Sequence, residues 1–177
     1  GGGLWSSAPF SMINSTVSAN RGNGGGGISA QGQTAHLTYT TIASNTGIGL
    51  FLSASTAAQL RATLLAGNNT NCALFGGATL TSNNDNLSSD ATCTTLTASN
   101  DLTNTNPLLR PLAFASPFDF TPTHLPMPHS PALNRIPPAR CISTDQRNVA
   151  RPQNGACDVG AVEMAVWRSY APITRKP

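Results

Sequence analysis

Three segments share one pattern and decide the fold: FSMINSTVSAN at residues 10–20, AHLTYTTIASN at residues 35–45 and AQLRATLLAGN at residues 58–68. Their alignment gives three columns: Met12, Leu37 and Leu60; Val17, Ile42 and Leu65; and Asn20, Asn45 and Asn68. The segments are offset by 25 and then 23 residues. A period in the low twenties is short for repeated helix pairs and is typical of one coil of a β-solenoid.

Apolar and polar residues alternate within these segments, which indicates β-strands. The alternation places Met12 and Leu37 on an inner face and His36 on the outer face. Equivalent residues of successive coils lie about 4.8 Å apart, so we expect the closing asparagines to form a hydrogen-bonded ladder. The glycine-rich stretch at residues 21–27 is expected to form a corner between sheets, because glycine tolerates positive φ.

The composition supports this interpretation and excludes several classes. The 177 residues suffice for one domain, and only 10% of them are charged. Helical bundles and coiled coils need far more Glu, Lys and Leu at helical spacing. The basic residues lie mostly in a Pro-rich tail without the clustering that nucleic-acid binding requires. No apolar run is long enough to predict membrane insertion.

The sequence divides into residues 1–71, which form about three coils, and residues 72–177, which hold the last coil or coils and a loop-rich, Pro-rich C-terminal cap of the same domain. The four cysteines, at positions 72, 93, 141 and 157, match no zinc-binding spacing. Their even number favours an oxidising, extracytoplasmic setting. We expect the local pairs Cys72–Cys93 and Cys141–Cys157, with four free thiols as the alternative.

The second half contains five segments that resemble one family: NLSSDATC, DLTNTNPLLRPLA, TPTHLPMPHSPALN, C-x2-TDQR-x3-RP and CDVGAVE. They look like the C-terminal part of choice-of-anchor Q domain proteins, in the pectate-lyase-like right-handed parallel β-helix superfamily. The chain departs from the family pattern at Asn148, Val149 and Val162. The resemblance implies an all-β, right-handed parallel β-helix in a secreted or surface-attached protein.

The distribution of carboxylates bears on catalysis. β-helix enzymes that act on polysaccharides use paired carboxylates or carboxylate-bound Ca²⁺, whereas this chain has no Asp or Glu before Asp85. We therefore expect no catalytic residue, metal or cofactor. A cluster of charged residues in the tail has two interpretations, a glycan or metal site or, preferably, ion pairs that hold the cap together. Its members are Asp145, Arg147, Arg151, Asp158 and Glu163.

Aromatic and histidine side chains give weaker hypotheses. Trp5, Tyr39, Trp167 and Tyr170 are candidates for stacking on sugar rings, although Trp5 and Trp167 are equally suited to covering the solenoid ends. His124 and His129 lie in the Pro-rich segment and are expected to be packed or exposed loop residues without a catalytic role.

The ends of the solenoid lead to the functional hypothesis. The tail can cap one end, but nothing before Trp5 can cap the other, and an open coil exposes strand edges. We expect an extracellular or cell-surface, non-catalytic structural or adhesive protein that assembles head-to-tail into filaments. Its partner is then another copy or an upstream part of its own chain. The alternatives are a fragment of a polysaccharide lyase or hydrolase, and a non-catalytic glycan-binding module.

Overall fold

The computed structural model describes residues 2–165, in which the strands wind into successive coils. The strands are β1 (Leu4–Ser6), β2 (Phe10–Ser18), β3 (Arg21–Gln31), β4 (Thr34–Ala43), β5 (Thr46–Ser53), β6 (Ala57–Arg61), β7 (Leu64–Ala66), β8 (Thr70–Leu74), β9 (Thr79–Ser82) and β10 (Leu87–Ser88). A 3-10 turn covers Pro138–Arg140. All the strand pairings are parallel. The predicted all-β parallel solenoid is confirmed.

The strands stack in two sheets. One sheet has the order β1-β3-β5-β8, and the other stacks β2 on β4 and then the short strands β6, β7, β9 and β10. β2 and β4 run through a bend that separates β6 from β7 and β9 from β10. Each coil thus has three sides, and each coil adds one layer to every side.

The register agrees with the columns of the sequence alignment. Met12 pairs with Leu37 and Leu37 pairs with Leu60, while Ile42 pairs with both Val17 and Leu65. The two leucines and Ile42 are completely buried. Full burial of such a side chain contributes about 1.5–3 kcal/mol, so these columns stabilise the coils together with the equally buried pairs Ile28–Leu50 and Ala30–Leu52 of the other sheet.

Three corners turn the chain, and each has residues with positive φ stacked in successive coils. The columns are Asn14, Tyr39 and Ala62; Ala19, Ser44 and Gly67; and Gly32, Ala54 and Gly76. Most of these residues are not glycine, so each adds local strain of about 1–2 kcal/mol. The surrounding ladders must offset that cost in every coil.

The expectation that residues 21–27 form a glycine corner is wrong, because they belong to β3. Glycine is needed there for close packing. A Cβ built on Gly27 would lie 2.9 Å from Ile42 Cγ2 and 3.1 Å from Asn45 Nδ2. Gly3 and Gly49 stand in the same column against Asn20 and Asn68, so an inner glycine column leaves room for the asparagine ladder.

The tail, residues 89–165, covers both an end and a side of the solenoid. Cys93 and Leu96 pack into the hydrophobic core of the coils, and the Cys72–Cys93 disulfide ties this cover to β8. Beyond it, the tail turns back along the coils as far as β2, where Thr16 Oγ1 donates to Gln146 Oε1 at 2.6 Å. The cap is therefore largely a lateral cover, which the sequence analysis placed at an end only.

A second hydrophobic cluster joins the tail to the coils. The solenoid residues Tyr39, Leu64 and Leu87 point outward and pack with Ile136 and Val159 of the tail. All five are buried. The side of the solenoid that carries β7 and β10 is therefore an interior surface.

Candidate functional site

The predicted charge cluster assembles, and its carboxylates are occupied by donors from the chain itself. Asp145 Oδ1 accepts from the backbone N–H groups of Arg147 and Val149 at 2.7 and 2.9 Å. Asp145 Oδ2 accepts from Arg147 Nη2 at 2.8 Å and from Glu163 N at 2.9 Å. Asp145 therefore organises the loop around it and has no free oxygen for a ligand.

Glu163 and Arg151 form the second half of the cluster. Arg151 Nη1 donates to Glu163 Oε2 at 3.1 Å and to Asp158 O at 2.8 Å, and Nη2 donates to Gly160 O at 2.8 Å. The guanidinium carbon lies 4.3 Å from the centre of the Tyr39 ring. This buried cation thus joins its own loop to the tail segment at residues 158–163 and to the solenoid corner at Tyr39.

Burial shapes the ionisation of these groups. Desolvation raises the pKa of Glu163 and of Asp158, and it lowers the pKa of Arg151. The hydrogen bonds from Asp158 N and Gln153 N, and the charge of Arg151, oppose the shift at Glu163. The ion pairs and hydrogen bonds of the cluster join segments of the tail to one another and to the solenoid, in keeping with the preferred interpretation of ion pairs that hold the cap. Residues 2–165 contain no grouping of side chains suited to a metal ion.

Both expected disulfides are present. Cys72 and Cys93 have Cα atoms 4.9 Å apart, and Cys141 and Cys157 have Cα atoms 6.0 Å apart. No free cysteine is left in the chain. The first bridge joins β8 to the start of the tail and the second closes a loop within the tail, so the local pairing is confirmed and the alternative of four free thiols is excluded.

The asparagine ladder is also confirmed. Asn45 Oδ1 accepts from Asn20 N and Nδ2 at 3.0 and 3.1 Å, and Asn68 Oδ1 accepts from Asn45 N and Nδ2 at 3.0 and 2.9 Å. Asn71 continues the series by accepting from Asn68 Nδ2 at 2.9 Å. The oxygens of Asn45 and Asn68 therefore each accept from the coil before them, whereas Asn71 accepts within the same corner.

The series of asparagine hydrogen bonds ends at the first coil. Within residues 2–165 no group donates to Asn20 Oδ1, although the same oxygen of Asn45 and of Asn68 accepts two hydrogen bonds. A cavity of about 570 Å³ lies beside it, with Leu4, Phe10 and Met12 in its lining. Among the residues that the structure describes, β1 pairs with β3 only and β2 pairs with β4 only, so both strands keep one unpaired edge there. We call this surface the open end.

The aromatic candidates for stacking on sugar rings differ in their exposure. Trp5 is 54% exposed on the outer face of β1, in the column that continues to Phe51. Phe51 and the exposed Phe75 have ring centres 5.5 Å apart. The hypothesis that Tyr39 stacks on a sugar is wrong, because its ring is buried beneath Arg151. Trp167 and Tyr170 lie outside the described residues.

One polar pair was missed by the sequence analysis. His124 is buried, and its Nε2 lies 2.7 Å from Ser18 Oγ at the end of β2. Its Nδ1 lies 2.8 Å from Arg110 O. His36 is exposed as predicted, and His129 is exposed in its loop. No sequence signal could have joined Ser18 to His124, because 106 residues separate them.

An ion pair between the coils and the tail was missed as well. Arg140 Nη2 lies 2.9 Å from Asp85 Oδ1, and the Asp85 side chain is almost completely buried. Asp85 is the first carboxylate of the chain and lies at a corner of the last coil. Its partner shows that this carboxylate also serves the attachment of the tail.

Comparisons with known proteins add no assignment. The chain matches no family profile, no curated protein and no solved structure. The resemblance to choice-of-anchor Q proteins therefore stays a prediction that rests on the quoted segments. In residues 2–165 no helix has the length and apolar character needed to cross a membrane. What the chain is shown to be is a parallel β-solenoid with two disulfides and a lateral cover.

Proposed function

We propose that the chain is a structural or adhesive module of an extracellular or cell-surface protein, and that its open end docks a further β-solenoid coil. The observation that carries this proposal is the unused acceptor Asn20 Oδ1, which repeats the geometry that Asn45 and Asn68 offer to the coil before them. A docked coil with an asparagine at the same corner would supply both donors. The two disulfides support the extracytoplasmic part of the proposal.

The docked coil has two sources in this proposal, a second copy of the chain or a coil joined to it upstream. The other end of the solenoid is covered by Cys93 and Leu96. A head-to-tail filament therefore requires residues 90–102 to form the contact or to move aside. A heterologous contact of that kind does not close on itself, so it produces a filament.

The test for a second copy is light scattering with negative-stain electron microscopy, on wild type and on Met12→Lys and Ile13→Lys. Met12 faces the open core, whereas the adjacent Ile13 is 58% exposed on the outer side. We expect wild type and Ile13→Lys to assemble and Met12→Lys to remain monomeric. Assembly of all three proteins would place the contact away from the open end.

The test for an upstream coil uses a fusion that adds one more coil before Gly2, built from residues 22–45. We expect the added coil to raise the melting temperature, and the same fusion with its closing asparagine replaced by alanine to raise it less. A monomeric wild-type chain and a fusion without added stability would together overturn the proposal.

A second candidate function is glycan binding on the outer face of the first sheet. It rests on Trp5 and on the Phe51–Phe75 pair, which lie on that face with Ser29 between Trp5 and Phe51, because exposed aromatic faces stack on sugar rings. Affinity electrophoresis on a polysaccharide panel tests it. Retardation should be lost in Trp5→Ala and kept in Phe118→Ala, since Phe118 is exposed in a tail loop. Equal retardation of both variants would contradict this function.

A further inference from the structure

We infer that Ser18 and His124 form a nucleophile–base pair that accepts acyl groups. Ser18 Oγ lies 2.7 Å from His124 Nε2, and His124 Nδ1 lies 2.8 Å from the carbonyl oxygen of Arg110. A hydroxyl, a base and a group that orients the base, each within hydrogen-bond reach of the next, make up an activated nucleophile. The pair needs no carboxylate, so it goes beyond the structural role and is compatible with carboxylate-free coils. Because it uses the open end, a docked coil and a substrate exclude each other there.

The hydrogen-bond partners of His124 determine which of its ring nitrogens carries the hydrogen. A carbonyl oxygen only accepts, so His124 Nδ1 carries a hydrogen and donates it to Arg110 O. In neutral imidazole the other nitrogen is then an acceptor, and Ser18 Oγ–H donates to Nε2. The backbone of Arg110 thus holds the imidazole in the tautomer that a general base requires.

The position of Ser18 in the solenoid sets it apart from its equivalents. The residues in register with it in the next two coils are Ala43 and Ala66. Ser18 is half-buried, it is the last residue of an edge strand, and Ala19 follows it with positive φ. The nucleophile therefore occurs only in the coil that borders the open end.

Space for a substrate is available beside Ser18. The open-end cavity of about 570 Å³ includes Ser18 in its lining together with the apolar side chains of Leu4, Phe10 and Met12. These apolar walls suit the ester of a short hydrophobic acyl group.

The same edge supplies donors for the oxyanion. Within the described part of the chain β2 pairs with β4 on one side only, so alternate backbone N–H groups of β2 point toward the open end. Preorganised N–H donors next to the attacked carbonyl stabilise the charge that develops on its oxygen.

The reaction that follows from this geometry balances with water as the only co-reactant. Ser18 Oγ attacks the ester carbonyl, and its proton passes to His124 Nε2. The tetrahedral adduct collapses, the C–O bond to the alcohol breaks, and the departing alkoxide takes the proton from Nε2. His124 Nε2 then takes a proton from a water molecule, which attacks the acyl-serine. The carboxylic acid is released, and the proton returns to Ser18 Oγ and restores the hydroxyl.

The competing interpretation is a contact that only fastens the tail. Two neighbouring residues of β2 make such contacts: Asn14 Nδ2 donates to Thr144 O at 2.8 Å, and Thr16 Oγ1 donates to Gln146 Oε1. Neither partner is a base. Ser11 is the matched control for the chemistry, because its exposed side chain borders the same cavity and makes no hydrogen bond to a histidine, although His36 stands in register with it on β4.

The experiment is covalent labelling with a small alkyl fluorophosphonate, which reports serine nucleophilicity without requiring a known substrate. Intact-protein and peptide mass spectrometry locate the adduct on wild type, Ser18→Ala, Ser11→Ala and His124→Gln. The amide oxygen of Gln can still accept the Ser18 hydroxyl, but it cannot take the proton. Melting temperatures show whether each variant keeps its fold.

We expect one adduct on Ser18 in wild type and in Ser11→Ala, and none in Ser18→Ala. His124→Gln should be labelled at least about 100-fold more slowly, which is the lower range of a general base contribution, with its melting temperature little changed. Absence of labelling on Ser18 in folded wild type, or equal labelling of Ser11, would overturn the inference and leave a docking contact alone. If His124→Gln proves unstable, the wild-type and Ser18→Ala results still decide.

Discussion

The coils and the tail of this chain are stabilised in two different ways. In the coils, equivalent residues of neighbouring layers pair in parallel ladders, and the side chains repeat in columns. In the tail, short bridges such as Thr144 with Ala150 replace strands, and buried ions hold the loops. The comparison shows that repetition stabilises the coils, whereas unique polar hubs stabilise the tail.

The distribution of charge follows from this difference. Like charges that stack every 4.8 Å repel each other, so a repeated position cannot carry one. The tail uses each position once, and Asp145, Arg151 and Glu163 can therefore be buried there with dedicated partners. The coils and the tail should respond differently to the substitutions that follow.

Arg151→Leu should cause the largest loss. It leaves Glu163 buried without its cation, and breaking such a pair costs roughly 3–5 kcal/mol. Urea unfolding measures the free energy of unfolding, and hydrogen exchange should show the tail amides losing protection before those of β4 and β5. Arg135→Leu, at an exposed position, is the control and should change stability by less than about 0.5 kcal/mol. Similar losses in both variants would contradict the role of the hub.

Leu37→Ala tests the coils in the same way. The side chain is completely buried in the central apolar column, and its truncation should cost about 2–5 kcal/mol in urea unfolding. Ile13→Ala, on the outer side of β2, should cost far less. Here the coil amides should lose protection together with those of the tail, because the tail packs on the coils. A loss confined to the tail would reverse the comparison.

Asn45→Ala removes one step of the ladder. Asn45 Nδ2 donates to Val17 O and Asn68 Oδ1, while its Oδ1 accepts two bonds from Asn20. Leaving such groups unpaired should cost about 1–3 kcal/mol in thermal or urea unfolding. Asn69 is exposed, so Asn69→Ala should leave the free energy of unfolding nearly unchanged. An equal effect at both positions would show that the ladder adds no stability.

Tyr39→Phe should have the smallest effect, and that effect depends on pH. Burial raises the pKa of Tyr39 to about 12, above its ordinary value of 10.0. Between these values the folded chain retains a proton that the unfolded chain has lost, so wild-type stability falls as pH rises. The phenylalanine variant should lose stability less steeply over this range in urea titrations. Identical slopes in the two proteins would refute the assignment.

The fold of the coils could be predicted because each column repeats a physical requirement. Alternation identified the inner residues Leu37 and Leu60, and the closing asparagines located a corner and its ladder. The path of the tail could not be predicted, because its contacts join unique residues such as Thr16 and Gln146, 130 positions apart. The Ser18–His124 pair could not be predicted for the same reason, because 106 positions separate its members. The charge cluster was found because its members are close in sequence.

The bulges of β3 have a consequence for changes in chain length. The register between β3 and β5 shifts twice, between Arg21 and Gly25 and between Gly25 and Ile28, so the glycine stretch accommodates surplus residues outside the ladder. An insertion or deletion there alters one bulge and leaves the inner columns aligned. An indel within β4 would shift every later side chain to the opposite face. Related chains should therefore differ in length at this stretch, or by whole coils.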